Sequence, residues 1–201
     1  MRRPRGPIAL HIADNPELKD RIRFILKTKG IEAVEIGETV GETPFNLVIT
    51  DRKEAKFKGE VKTLFVHEKL NEDELLESIS LLSKLPRRCD EVVIGIDPGL
   101  TIGAAALCRN SLIDVNVAGD IAQLINWIEK VDRIVKPSST RIRIGRGEKW
   151  RETFDAIGKL RIKAMSIELV DEARTTKPPL QGKRAKYGKD VEAAIKIALK
   201  L

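Results

Sequence analysis

The segment Glu91–Gly99 (EVVIGIDPG) constrains the fold of this chain more than any other stretch. Its apolar, mostly β-branched run 92–96 predicts a strand buried on both faces. Pro98 cannot donate a ladder hydrogen bond and Gly99 accepts unusual backbone dihedrals, so the strand must end or turn there. Asp97 therefore stands at the end of a buried strand. A carboxylate there either caps the following turn or needs a partner such as a metal ion.

The composition indicates a globular protein with an anionic partner. The chain has 201 residues, of which 42% are hydrophobic, enough for one large domain or two small ones. A charged fraction of 33% with only two glutamines, Gln123 and Gln181, is typical of a heat-adapted protein. The net charge of +7 favours nucleic acid as the partner. Because no apolar run is long enough to span a bilayer, we expect a cytoplasmic protein that has no membrane partner.

Cys89 and Cys108 are the only cysteines of the chain. They lack the CxxC spacing of a zinc or redox site and form no disulfide framework. We therefore expect both to be buried or incidental thiols in a reducing cytosol, and not metal ligands.

The first half of the chain, residues 1–86, predicts a small α/β domain of the flavodoxin-like or receiver-like kind. Strands are expected over 8–13, 31–36, 45–50 and 61–66, with one helix after Asn15-Pro16-Glu17 and another after Asn71. Asp14 and Asp51 follow two of these strands, as acids do in receiver domains. The role that we expect for this domain is docking, dimerisation or substrate placement.

The second half, residues 87–201, begins after a break in the helical pattern around Leu85–Asp90, which we take as the domain boundary. Three consecutive strands are expected first, the second and third joined by a hairpin turn at Arg109-Asn110-Ser111. Helix, strand, helix, strand and a closing helix follow. This order predicts a mixed five-stranded sheet with helices on both faces.

Acidic residues recur where this topology brings strand and helix ends together. Asp97 ends the first strand of the second half, Asp171 and Glu172 end the fifth, and Asp190 begins the last helix. Carboxylates without His or Cys form a hard-oxygen site that suits Mg²⁺ or Mn²⁺. The alternatives are an ion pair of Asp171 or Glu172 with Arg174 and a simple N-cap role for Asp190.

Three short motifs give the second half a family resemblance. GIDPG at 95–99 resembles the opening strand of RuvC-type Holliday junction resolvases, and VDEARTT at 170–176 is similar to a segment of the YqgF-type resolvases. Asp190 with the following Ala193-Ala194 resembles their closing helix. The resemblance covers residues 91–201. It is closer to the YqgF type, because Gly145-Arg146-Gly147 and Tyr187 stand where RuvC proteins carry acids.

The resemblance implies an RNase H-like fold for the second half. It also implies that Asp97, Glu172 and Asp190 are the catalytic, metal-binding carboxylates. The activity implied is metal-dependent cleavage of branched DNA or of structured RNA.

Two stretches without acids, 133–147 and 174–189, flank the predicted acidic site. Lys and Arg there are expected to hold phosphates in a salt-sensitive manner, although a solvated surface is the alternative. The side chains expected to contact nucleic acid are those of Arg143, Arg146, Arg174, Thr175, Thr176, Lys177, Lys183, Arg184 and Lys186.

Two functions from different classes therefore compete. The first is a Mg²⁺- or Mn²⁺-dependent endonuclease acting on branched DNA or structured RNA. The second is a nucleic-acid-binding protein that kept the fold and lost the chemistry. A third and weaker interpretation is a fragment of an actin-like ATPase, because those folds also open with a strand that carries an Asp. A homodimer is left open.

Overall fold

A computed structural model describes residues 8–37, 45–53, 57, 61–86, 89–171 and 187–200. The chain divides into two compact units, Met1–Arg88 and Cys89–Leu201. The described residues contain two β-sheets and five α-helices, so the prediction of an α/β chain with two sheets is confirmed. No helix within these ranges is long and apolar enough to cross a membrane.

The first unit is a four-stranded, all-parallel sheet with the strand order β2-β1-β3-β4. Its elements are β1 (Ile8–His11), α1 (Pro16–Thr28), β2 (Ala33–Glu35), β3 (Leu47–Thr50), β4 (Lys62–Phe65) and α2 (Glu72–Lys84). Both helices begin as the sequence predicts. The Asn15 side chain accepts a hydrogen bond from the amide of Leu18, and the Asn71 side chain accepts one from the amide of Glu74.

The acids that follow β1 and β3 hold the first unit together. The carboxylate of Asp51 accepts hydrogen bonds from the amides of Ala13, at 3.2 Å, and Asp14, at 3.0 Å. The Asp14 carboxylate pairs with the Arg52 guanidinium at 2.8 Å, and this hydrogen-bonded pair lowers the pKa of Asp14 below its ordinary value. Both acids thus have structural partners across the β1 and β3 ends.

The second unit is a mixed five-stranded sheet with the order β7-β6-β5-β8-β9. Strands β5, β6 and β7 form an antiparallel meander, and β8 and β9 continue the sheet in parallel with β5. Its elements are β5 (Glu91–Pro98), β6 (Ile102–Cys108), β7 (Ser111–Ala118), α3 (Ile121–Val135), β8 (Ser139–Gly145), α4 (Trp150–Ile157), β9 (Met165–Val170) and α5 (Lys189–Leu199).

The turn between β6 and β7 confirms the expected hairpin. Its two residues, Arg109 and Asn110, have φ angles of 48° and 61°. Two successive positive φ angles are typical of the type I′ turn that matches the twist of a two-residue hairpin.

The register of the sheet separates its two faces. Residues directly opposite one another on neighbouring strands share a face, so Gly95, Asp97 and Gly103 lie on one face and Ile94 and Ile96 on the other. Helix α5 packs on the first face. Helix α3 packs on the second, where the indole of Trp127 donates a 3.0 Å hydrogen bond to Asp114 of β7, and α4 lies beside α3. Helices therefore cover both faces, as predicted.

The expectation of two free thiols is wrong, because Cys89 and Cys108 form a disulfide. Cys89 lies just before β5, and Cys108 is the last residue of β6, opposite Val92 in the antiparallel register. The pairing of β5 with β6 brings the two Cα atoms to 5.9 Å, within the range that a disulfide requires. The two cysteines are 19 residues apart in sequence, so their proximity could not be predicted without knowing how β5 pairs with β6.

Candidate metal centre

Asp97 lies near the end of β5, half-buried, and the turn that follows it is held by backbone contacts. The amide of Gly99 donates to the Asp97 carbonyl at 3.2 Å, and the amide of Lys149 donates to the Pro98 carbonyl at 3.0 Å. The loop after β8 is also tight against this turn, since a Cβ added at Gly147 would lie 2.9 Å from the Pro98 carbonyl oxygen. The backbone around Asp97 is therefore braced by its neighbours.

Helix α5 approaches the sheet so closely that two positions beneath it must be glycine. A Cβ added at Gly95 would lie 2.1 Å from the Ala194 carbonyl oxygen and 2.5 Å from the Ala198 amide nitrogen. A Cβ added at Gly103 would lie 2.1 Å from the carbonyl oxygen of Asp190. These contacts involve backbone atoms, which cannot rotate away. Two glycines thus place both ends of α5 on β5 and β6.

This packing brings Asp190 to the face that carries Asp97. Asp97 lies directly opposite Gly103 in the antiparallel register, so the Asp97 side chain leaves the sheet on the side of α5. The Cβ atom of Asp190 is 2.9 Å from the Cβ position of Gly103. Since directly opposed Cβ atoms are about 5 Å apart, the Cβ atoms of Asp97 and Asp190 lie within about 8 Å. That separation allows two carboxylates to bind one cation.

Thr101 adds a side-chain contact to this corner that the sequence did not indicate. Its hydroxyl donates a hydrogen bond to Oδ2 of Asp190, across a sequence separation of 89 residues. Thr101 lies in the turn between β5 and β6, only two residues before Gly103. The same short segment therefore fixes both the backbone and the carboxylate of Asp190. The available signal was weak: a polar residue in the turn, two residues after Asp-Pro-Gly.

The ends of the parallel strands place a third acid at the same edge of the sheet. Gly145 of β8 pairs with Val170 of β9, and both lie in the row of residues that follows the Ile96–Ile144 pair. Asp171 comes directly after this row and is exposed. With strands about 4.8 Å apart, Val170 lies roughly 10 Å from Asp97 across the sheet. Glu172, the third predicted ligand, lies outside the described residues.

Arg143, predicted to contact nucleic acid, takes part in an ion-pair cluster at the other end of α5. Its guanidinium donates to Glu168 at 3.2 Å and to the carbonyl oxygen of Ala198, and its side chain is only 12% exposed. Lys200, at 2.7 Å, and Arg141, at 3.7 Å, also pair with Glu168. The hydrogen bonds from Lys200 and Arg143 lower the pKa of Glu168 below its ordinary value of 4.5. We therefore assign Arg143 to the anchoring of α5.

Arg146 differs from Arg143 in exposure and position. It is exposed and follows β8 directly, within the loop that contacts the Pro98 turn. Arg146 therefore lies at the same edge of the sheet as Asp97 and is accessible. The other predicted nucleic-acid contacts lie outside the described residues: Arg174, Thr175, Thr176, Lys177, Lys183, Arg184 and Lys186.

The described part of the chain holds two of the predicted acids together, not a complete metal cluster. No group of three or more His, Cys, Asp or Glu side chains within it is arranged to hold a metal ion. Asp97 and Asp190 offer only carboxylate oxygens, the donor type that Mg²⁺ and Mn²⁺ prefer. The donor chemistry therefore fits such a cation.

Comparisons with known proteins do not extend these observations. Neither a protein-family model, nor a curated protein, nor a solved structure matches the chain.

Proposed function

We propose that the second unit is an RNase H-like, Mg²⁺- or Mn²⁺-dependent endonuclease that hydrolyses phosphodiester bonds in branched DNA or structured RNA. The observation that carries the proposal is the meeting of Asp97 and Asp190 on one face of the sheet, although they belong to distant segments. The mixed sheet, with β5 at its centre and helices on both faces, supports the same class. The first unit, which we propose is flavodoxin-like or receiver-like, would help to place the substrate.

The residues divide the chemistry between them. Asp97 and Asp190 would hold the cation, and we propose Glu172 as a third ligand, since it follows Val170 by two residues. The chemistry that a Mg²⁺ or Mn²⁺ ion would supply there is activation of water for attack on phosphorus and stabilisation of the departing oxygen. Arg146 and the basic side chains of 174–189 would hold the phosphate backbone, which is the part of the substrate that carries no sequence information.

The test is cleavage of a four-way DNA junction and of a structured RNA with Mn²⁺. Asp97→Asn and Asp190→Asn should each reduce the rate by about 100-fold or more, because even residues that only support metal ligands contribute 10–100-fold. Asp155→Asn is the matched control, since it makes the same charge change at an exposed position on α4. Intact substrates at high protein concentration would refute the nuclease.

A second experiment addresses the substrate. Arg146→Ala should weaken binding to all sequences and reduce the slope of log K against log salt by about 1. Arg161→Ala is the matched control, because this exposed arginine precedes β9 and so lies toward the opposite edge of the sheet. Equal effects of the two variants would show that binding is not directed to the Asp97 edge.

The second candidate is a nucleic-acid-binding protein without catalysis. It is favoured by the sequence, which has Gly145-Arg146-Gly147 and Tyr187 at positions where RuvC proteins carry acids. It predicts salt-dependent binding that Asp97→Asn leaves nearly unchanged and that Lys183→Ala with Arg184→Ala weakens. Binding that does not depend on salt would exclude it.

A further inference from the structure

We infer that Thr101 makes Asp190 a one-oxygen ligand and thereby biases the candidate centre toward Mg²⁺ and against Ca²⁺. This inference rests on the proposed function, because it concerns the cation of the same site. It assigns to Thr101 a positioning role, since its hydroxyl contacts the Asp190 carboxylate and not the substrate.

The first support is the hydrogen bond itself. The Thr101 hydroxyl donates to Oδ2 of Asp190, which takes one lone pair of Oδ2 and leaves both lone pairs of Oδ1 available to a cation. Thr101 is exposed. Burial therefore does not force the contact between these two side chains.

The second support is that both partners project from braced backbone. On one side, Thr101 lies in the turn between Pro98 and Ile102, which pair with each other. The Pro98 carbonyl accepts a 3.0 Å hydrogen bond from the Lys149 amide. On the other side, the Asp190 backbone rests on Gly103, whose Cβ position is 2.4 Å from the Asp190 carbonyl carbon. A hydrogen bond between two fixed points sets the rotation of the carboxylate.

The chemical consequence concerns how the carboxylate binds. Ca²⁺ takes six to eight oxygens and readily accepts both oxygens of one carboxylate, whereas Mg²⁺ demands octahedral geometry and usually takes one oxygen from each. A hydroxyl that already uses one of the two lone pairs of Oδ2 weakens two-oxygen binding by Asp190. The contact therefore penalises Ca²⁺ more than Mg²⁺.

The experiment measures the affinities of wild type, Thr101→Val and Thr101→Ser for Mg²⁺ and Ca²⁺ by calorimetry, without substrate. Valine keeps the shape and removes the donor. We expect the ratio of Mg²⁺ to Ca²⁺ affinity to fall by roughly 10-fold in Thr101→Val, the lower end of what supporting residues contribute, and to recover in Thr101→Ser. Thr101→Ala is a second variant without the hydroxyl, should the valine variant not fold.

The matched control is Thr140→Val, which removes another Thr–Asp hydrogen bond, from Thr140 to Asp132 at 3.0 Å. Thr140 is buried at the start of β8, so this variant should lose stability and keep the ratio of affinities. An unchanged ratio in Thr101→Val overturns this inference and leaves the proposed function standing.

Wild type that binds neither cation overturns the proposed metal site and, with it, the inference. The ¹³C shift of the Asp190 carboxyl carbon then tests the contact separately, since Thr101→Val should move this shift by removing the hydrogen bond. A shift that is the same in both proteins would overturn the positioning role whatever the site binds.

Discussion

Replacing Gly103 by alanine tests the packing that brings Asp190 to Asp97. The added Cβ would lie 2.1 Å from the Asp190 carbonyl oxygen, 2.4 Å from its carbonyl carbon and 2.9 Å from its Cβ. Ordinary contacts of a Cβ begin near 3.4 Å, so the first turn of α5 must retreat by about 1 Å. Overpacking of this kind costs about 1–3 kcal/mol of stability.

The retreat should affect the site more than the fold. Because Asp190 is in the first turn of α5, its carboxylate moves with the backbone and away from Asp97. A misplacement of about 1 Å in a functional group costs on the order of 100-fold in activity. We therefore expect Gly103→Ala to stay folded, with a reduced free energy of unfolding, and to lose most of its Mn²⁺ affinity and cleavage.

Gly95→Ala is the matched control, because its Cβ would also lie 2.1 Å from a backbone carbonyl oxygen, that of Ala194. The two variants should lose similar amounts of stability, measured by urea denaturation. The loss of Mn²⁺ affinity, measured by calorimetry, should be at least about 10-fold larger in Gly103→Ala than in Gly95→Ala. A Gly103→Ala protein with wild-type stability and Mn²⁺ affinity would refute the close approach of α5.

Three further predictions concern the anchors of the two units. Glu168→Gln should cost about 1 kcal/mol at neutral pH, as expected for a partly exposed ion-pair cluster. Because folding lowers the pKa of Glu168 below 4.5, this stabilisation is present above pH 4.5 and is lost as the pH falls below it. The denaturation curves of wild type and variant should therefore converge in acid. Reduction of the Cys89–Cys108 disulfide should lower the stability of the second unit by about 3 kcal/mol. Cys108→Ser should not respond to the reductant, so a change in its melting temperature would contradict the assignment of the effect to this disulfide. Asp51→Ala should cost about 1 kcal/mol in the first unit, because water can reach both exposed amides, and should speed hydrogen exchange at Ala13 and Asp14. Asp51→Asn keeps one acceptor oxygen and should lose less stability.

Local patterns were sufficient to predict the elements of the fold. The run 92–96, the Asn-Pro start of α1 and the Arg109-Asn110 turn each carry their signal within a few residues, and the structure has the strand, helix and hairpin there. The ends were less well predicted. The sequence predicts a helix over the whole of Glu148–Leu160, but the observed helix is Trp150–Ile157. Its start is later because the Lys149 amide donates instead to the Pro98 carbonyl.

Contacts between distant segments could not be predicted from these patterns. The disulfide depends on the register of β5 with β6, and the partners of Arg143, which are Glu168 and the Ala198 carbonyl, lie on other elements of the second unit. The Gly103–Asp190 contact had a faint signal in the small residues on both elements. Thr101 had none stronger than its place after Asp-Pro-Gly.

The two ends of helix α5 differ in their interactions, and the difference decides which variants reach Asp190. The C-terminal end approaches Gly95 closely and is also held by charge, through Arg143 to the Ala198 carbonyl and through Lys200 to Glu168. Its N-terminal end is held by the close approach to Gly103. A helix of 11 residues is about 16 Å long, so loss of the charged anchor should loosen the far end and leave Asp190 seated. Glu168→Gln should therefore lose stability while it keeps Mn²⁺ affinity, whereas Gly103→Ala should lose both.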